Sequence, residues 1–297
     1  RFMELLKSSN MDLSGKFASQ LTTSKHFYDI TAHRYIEENC YDLGLKYIGG
    51  LSADMDDLTC AAGQKQAREF FEHLVWCAEH DFYEKPLPAA APVPLVPATV
   101  PAAPAGEKTG DVVVITDCEP DNAPLADMIA RFAAVLPRAV RVVNIREYPF
   151  AAGCLGCFNC AVTGKCVHKD HFDEFLRTQL QTAQAMVYAF SIKDHSMGAA
   201  FKLYDDRQFC NGHRTVTMGK PVGYLVEGDL ANEPNLITLM EARAQVGGNF
   251  LAGIAVSGTD MEREVNQLAL RICYAADHAY NPPKNFYGVG GLKIFRD

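Results

Sequence analysis

The sequence has no apolar run approaching the roughly 20 residues that a membrane-spanning helix needs. No stretch near its start has the basic, apolar and small-residue zones of a secretory signal. Positive charge is in deficit, with 28 Lys and Arg against 36 Asp and Glu and a formal net charge of −8. That balance argues against a nucleic-acid groove or an anionic membrane surface as the main partner. Cys40, Cys60, Cys77, Cys118, Cys210 and Cys273 lack the spacing of a disulfide framework, so a reducing cytoplasm is the expected setting. An initiating Met is missing too. The chain opens on Arg1 inside a helix-like stretch, Arg1-Phe-Met-Glu-Leu-Leu-Lys7, and further sequence upstream is expected. What remains is ordinary globular composition, 48% apolar and 22% charged over 297 residues, enough for one large domain or two smaller ones.

The densest chemistry lies in Cys154-Leu-Gly-Cys157-Phe-Asn-Cys160-Ala-Val-Thr-Gly-Lys-Cys166, where four of the ten cysteines fall within thirteen residues. The spacing is C-x2-C-x2-C-x5-C. Two short gaps let one tight loop present three thiolates to a common centre, and the longer gap returns a fourth. Four thiolates are what a [4Fe–4S] cluster takes. Gly153, Gly156 and Gly164 are expected to allow sharp backbone turns. A structural zinc site is the second reading, although zinc more often takes its thiols as two separated pairs. Free thiols are the third, and closely spaced free thiols invite oxidation.

The hydrophobic pattern alternates between strand and helix. Before residue 86, strands are expected at Lys16–Thr22 and Leu45–Leu51, with helices over 29–40 and 61–80. Two strands cannot bury both faces of an α/β sheet, so this part is incomplete alone. Residues 86–109 read as a semi-rigid Pro/Ala linker, with seven prolines from Pro86 to Pro104. Beyond it come strands at Asp111–Thr116, Val140–Ile145, Ala185–Phe190, Pro221–Val226 and Phe250–Val256. Helices are expected over 123–135, 170–182, 199–209, 235–247 and 259–278. Five such alternations predict a doubly wound parallel sheet. Residues 1–85 then look like the C-terminal half of a second copy. Gly15-Lys16 corresponds to Gly219-Lys220, and Tyr47–Leu51 to Phe250–Ile254, at an offset of about 204 residues. Residues 110–280 are the complete copy and 281–297 an apolar, Gly-rich tail.

The strand–helix–strand order around the cysteine stretch, then Lys202 … Asp206-Arg207 and Gly219-Lys220-Pro221, resembles the NADPH-dependent FMN reductase family, and within it the iron–sulfur flavoproteins. The resemblance covers 110–280 fully and 1–80 as half of a second copy. It implies an α/β, flavodoxin-like sheet of order 2-1-3-4-5, FMN, and a [4Fe–4S] cluster on Cys154, Cys157, Cys160 and Cys166. It also implies NAD(P)H or a ferredoxin-like protein as electron donor, and a homo-oligomer (dimer or tetramer). Two departures stand out. The loop where the family binds the flavin phosphate is acidic here, Asp117-Cys-Glu119-Pro-Asp121-Asn122, and carboxylates repel a phosphate. In the loop after the third strand of the complete copy, Lys193 occupies the place of a flavin-facing Tyr. By the same resemblance, Thr22, Thr23, Ser24 and His26 of the half copy become the candidate flavin contacts, although such residues also serve as ordinary caps.

His168, His171, Lys165 and Lys169 flank the cysteine stretch, where cations would tune a cluster's potential. His195 and His213 are possible proton donors, and Cys118 either faces the ligand crevice or is a small buried apolar group. Asp54, Asp56 and Asp57 suit a helix entry. Two functions follow: an iron–sulfur flavoprotein oxidoreductase, or a non-catalytic cluster-bearing or zinc-stabilised partner domain that has lost FMN.

Overall fold

The computed structural model describes residues 1–24, 28–86, 108–211 and 216–295. The chain divides into two compact units. One comprises Arg1–Ala91 with Asp194–Ser196 and Asn232–Leu239; the other comprises Pro92–Lys193, Met197–Ala231 and Met240–Asp297.

The first unit begins with α1 (Phe2–Ser8), β1 (Phe17–Ser24), α2 (Asp29–Asp42), β2 (Lys46–Asp54) and α3 (Ala61–Glu79). β1 and β2 pair in parallel, with α2 as the crossover. Tyr47 and Ile48 are buried, but Leu21, Ile30 and Phe71 stay exposed. A two-stranded sheet has too little surface to cover its own apolar residues.

The second unit holds β3 (Thr109–Thr116), α4 (Ala123–Val135), β4 (Arg138–Asn144), α5 (Asn159–Thr163) and α6 (Phe172–Phe175). There follow β5 (Ala185–Ser191), α7 (Gly198–Arg207), β6 (Pro221–Glu227), α8 (Pro234–Gly247, shared with the first unit), β7 (Phe250–Val256), α9 (Met261–His278) and α10 (Phe286–Phe295). Its sheet runs β4-β3-β5-β6-β7, every pair parallel. Counted within this unit the order is 2-1-3-4-5, the flavodoxin-like order expected above. β3 and β5 are central, and Val112–Ile115 and Ala185–Phe190 are buried on both faces. This is why they read as continuous apolar runs rather than alternating ones.

The two faces of this sheet differ in chemistry. One packs aliphatic residues of β3 and β5 against Leu125, Met128 and Phe132 of α4 and Leu268 and Ile272 of α9. Gly223 of β6 belongs to that contact, since a Cβ there would stand 2.5 Å from Leu268 Cδ1. The other face is aromatic. Phe190 meets Phe201 of α7 at 5.0 Å between ring centroids, and Tyr188 meets Tyr224 at 5.3 Å. Tyr204 extends the cluster to Phe172 at 6.1 Å.

Two elements differ from expectation. The helix expected over 170–182 is a single turn at Phe172–Phe175 that widens into a π turn at Leu176–Leu180, with His171 in the left-handed region at its start. The tail is partly ordered as α10. Asn285 ties its start to α8: its side-chain amide donates to Glu241 Oε1 at 2.7 Å and its N–H to Gln245 Oε1 at 2.9 Å. Among the described residues no helix is long and apolar enough to cross a membrane.

Phe201 is 2% exposed and bridges α7 to the sheet. Phe201→Ala is expected to cost about 3–5 kcal/mol in urea unfolding of the second unit, from lost transfer energy and the cavity left behind. A loss near zero would mean that the aromatic face is not a packed core.

Candidate functional site

The cysteine stretch leaves the sheet after β4, and a buried ion pair anchors it. Arg207, at the end of α7, is 1% exposed at its side chain and Asp170 5%; Nη2 donates to Oδ1 at 2.7 Å and Nη1 to Oδ2 at 2.8 Å. The same two groups hold the loop backbone. Arg207 Nη1 donates to the Ala152 carbonyl at 2.7 Å, and the N–H of Ala151 donates to Asp170 Oδ2 at 2.9 Å. Tyr148 Oη donates to the Asp170 carbonyl at 2.5 Å. Phe172 lies under the guanidinium, 5.1 Å from its carbon, and Phe150 lies 5.6 Å away. The Arg207 guanidinium holds the Asp170 carboxyl well below the usual carboxylate range.

Beyond this anchor the loop turns through Gly156 (φ 61°) and Phe158 (φ 55°) into α5, which ends at Gly164 (φ 73°). Gly156 and Gly164 thus serve as the turning residues expected. Gly153 does not adopt a positive φ, and a Cβ there would make only ordinary contact with Leu203. Asn159 Nδ2 donates to the Lys165 carbonyl at 2.9 Å, and the N–H of Cys166 donates to Asp173 Oδ2 at 3.4 Å.

These turns bring Cys154, Cys157, Cys160 and Cys166 onto the wall of one shallow hollow, open to solvent. Cys154 and Cys157 are exposed, Cys160 and Cys166 half-buried. Burial pushes the Cys160 thiol up, and the other three sulfurs add to this by their charge. Two further groups on the wall were not assigned to the cysteine site from the sequence: the buried Cys210 and the side chain of Arg207, read there only as part of a family motif. Burial pushes the Cys210 thiol up to about 12. Arg207 Nε is buried with no hydrogen-bond partner among the described residues. Neither residue is close in sequence to Cys154, so only the packing of α7 could reveal them. His168 lines the same hollow and meets the Gly153 carbonyl at 2.9 Å, whereas Lys165, Lys169 and His171 are exposed.

The residues present fit a sulfur-ligated cluster. Four thiols share one hollow, the remaining wall includes Leu155, Phe158, Val167 and Phe209, and a buried N–H lacks an acceptor. Among the described residues the thiols form no group of three with sulfurs within 4.8 Å of one another. A single tetrahedral zinc, with Zn–S near 2.3 Å, draws its sulfurs to about 3.8 Å apart.

The crevice at the carboxyl end of β3 is filled differently. Asp117 is buried, and burial pushes its carboxyl up to about 6. Arg146 Nε donates to the Asp117 carbonyl at 2.5 Å and Nη2 to Glu119 Oε1 at 2.6 Å. Lys193 Nζ donates to the same Glu119 oxygen at 2.9 Å. This hydrogen bond and the two cations lower the Glu119 pKa. Asn122 caps α4, accepting from the Leu125 N–H at 3.1 Å, and its amide donates to Ser191 Oγ at 2.7 Å. Cys118 is half-buried, its Sγ 3.6 Å from the Asn122 carbonyl.

In the first unit, Thr22, Thr23 and Ser24 are consecutive at the carboxyl end of β1. Thr22 Oγ1 lies 2.7 Å from His33 Nε2, and Thr23 is exposed. His26 and His213 lie outside the described residues. Asp57 Oδ2 accepts from the Asp54 N–H at 2.8 Å, just before α3, in keeping with a helix entry.

No family model matches the chain, and no curated protein matches it. Several solved structures resemble it. One is RosB with its bound intermediate 8-demethyl-8-formylriboflavin-5'-phosphate, at 10% identity over 63% of this chain and 86% of that one, TM-score 0.43. Another is an NAD(P)H:quinone oxidoreductase from Methanothermobacter marburgensis, at 14% identity over 60% and 99%, TM-score 0.39. A third is a WrbA-like flavodoxin protein from Agrobacterium tumefaciens, at 12% identity over 58% and 100%, TM-score 0.37. Likeness at this level concerns the fold, for which the strand order of the second unit already speaks.

Two outcomes follow from the site's electrostatics. Asp170→Asn leaves the Arg207 charge buried without its counter-ion and is expected to cost about 3–5 kcal/mol. The double variant Asp170→Asn/Arg207→Met should cost clearly less than the two single losses combined, read by urea unfolding; simple additivity would contradict the coupling. Asp117 works in the opposite sense. Its folded-state pKa is raised, so between about pH 4 and pH 6 the folded protein holds more protons than the unfolded chain, and stability falls as pH rises through that window. Asp117→Asn removes this loss, so its stability relative to the parent should grow between pH 4 and pH 7. Parallel pH profiles would show that Asp117 titrates normally.

Proposed function

We propose that this chain is an iron–sulfur flavoprotein oxidoreductase in which Cys154, Cys157, Cys160 and Cys166 hold a [4Fe–4S] cluster. FMN is the second cofactor, and NAD(P)H or a ferredoxin-like protein is the electron source. The observation that carries the reading is the convergence of four thiols on one hollow beside the unpartnered Nε–H of Arg207. Three thiols at successive two-residue gaps favour a cluster over zinc, which more often takes its thiols as two separated pairs. When bound, the cluster supplies one-electron transfer and the flavin couples it to two-electron chemistry. The chain's own residues do the rest. The Asp170–Arg207 pair fixes the loop, Arg207 offsets thiolate charge, and its Nε–H is a donor for sulfur, which raises a cluster's potential.

The acidic crevice favours a second reading for the flavin. Glu119 sits between Arg146 and Lys193, the cations that a phosphate would otherwise recruit. On that reading the second unit is a cluster-bearing partner domain. FMN is then held by a flavin domain elsewhere, whereas on the first reading Thr22, Thr23, Ser24 and His26 are its candidate contacts in a homo-oligomer. It accompanies the reading of 1–85 as a half copy of the 110–280 domain, joined by the 86–109 linker and followed by the 281–297 tail, in a cytoplasmic protein.

Anaerobically purified full-length chain is expected to contain iron and acid-labile sulfide in equal amounts, and Cys157→Ser and Cys160→Ser should each lose most of both. Added FMN should lose its fluorescence on binding. Iron and sulfide without FMN binding would select the partner-domain reading, and absence of iron and sulfide from the parent would overturn both.

A further inference from the structure

A second cluster of ligating groups lies in the first unit. Glu38 of α2, His195 of the Asp194–Ser196 segment and Glu233, just before α8, place one potential ligand atom each within 4.8 Å of one another. His195 Nδ1 faces both carboxylate oxygens of Glu233, each at 3.0 Å. Glu233 is buried, at 9% exposure. Glu38 Oε2 is sealed from solvent and has no hydrogen-bond partner among the described residues.

The charges of this trio do not balance. Among the described residues no Lys or Arg pairs with Glu38 or Glu233 within 4.0 Å; the nearby Lys7 is committed to Asp42 at 2.5 Å and Asp194 at 2.9 Å. Glu38 is half-buried and Glu233 buried, and carboxylates drawn out of water need a cation or a proton beside them. On the far side of the ring, His195 Nε2 lies 3.0 Å from Asp42 Oδ2. This is the outer arrangement of a metal-bound histidine: one ring nitrogen faces the ion, and the other donates its N–H to a carboxylate that fixes the tautomer and the ring plane. The segment is also held in place. Asp194 and His195 are consecutive left-handed residues (φ 49° and 62°), and Asn39 Nδ2 donates to the Asp194 carbonyl at 3.1 Å.

We propose that Glu38, His195 and Glu233 form a binding site for one divalent transition-metal ion, with Asp42 orienting the histidine. One imidazole and two carboxylates suit Zn²⁺, Fe²⁺ or Mn²⁺; soft ions prefer thiols, and Ca²⁺ or Mg²⁺ prefer all-oxygen sites. The ion ties α2 to the His195 segment and to the start of α8, acting as a clamp within the first unit.

Mn²⁺ is the probe of choice, because it is hard and leaves the cysteine loop alone. Full-length protein is stripped with chelator and titrated anaerobically with Mn²⁺ alone, and the electron paramagnetic resonance of free aquo-Mn²⁺ is followed. One equivalent should disappear from the free signal. Glu38→Gln and His195→Asn should abolish this uptake, Asp42→Asn should weaken it about 10–100-fold, and Cys154→Ser should leave it unchanged. Circular dichroism of each variant identifies any that is unfolded. Failure of the parent to take up Mn²⁺ would overturn the proposal, as would undiminished uptake by a folded Glu38→Gln protein.

Discussion

The candidate cluster site depends on one buried ion pair. Arg207 comes from a helix packed on the sheet, and Asp170 from the far end of the cysteine stretch. Removing both charges from water is costly, and the pair persists because it is bidentate and both partners also hold the loop backbone. Arg207 also binds the Ala152 carbonyl, Asp170 also binds the Ala151 N–H, and Phe172 and Phe150 flank the guanidinium. A loop that would otherwise be a long surface excursion is thereby fixed at both ends to the aromatic face of the sheet. The four thiols inherit their positions from that attachment. The guanidinium nitrogen Nε is left without a partner among the described residues.

The crevice at the carboxyl edge of a doubly wound sheet is where this architecture ordinarily receives a ligand. Here charges internal to the chain occupy that edge. Glu119 accepts from Arg146 and Lys193, and the Asp117 carboxyl is sealed beneath them. A phosphate entering would displace a formed ion pair and confront a second acidic group. The two departures noted from the sequence, the acidic loop and Lys193, are therefore one feature: Lys193 is the counter-ion of the acidic loop. In this unit the charged groups of the crevice are paired with one another, and the four clustered thiols lie in the loop after β4.

Most of the second unit was legible because its strands are buried on both faces and so appear as uninterrupted apolar runs, as in Val112–Ile115 and Ala185–Phe190. The cysteine spacing announced the site for the same local reason, since thirteen residues contain all four thiols. What escaped was long-range. Cys210 and the buried role of Arg207 depend on α7 packing against the loop, which no spacing rule encodes. The π turn after Phe175 and the helix in the tail are likewise set by packing and by side-chain bonds such as those of Asn285. In the first unit the sequence carried no local signal that Thr22, a candidate flavin contact by resemblance, also bonds His33. Glu38, far from Glu233 in sequence, carried no local signal of the cluster they form with His195.

The central claim is that the cysteine hollow holds an iron–sulfur cluster rather than a single ion. Metal K-edge X-ray absorption on anaerobically purified protein tests it most directly. The account predicts iron with a sulfur first shell and a second shell of neighbouring iron atoms. Zinc with four sulfurs near 2.3 Å and no metal neighbour would contradict it.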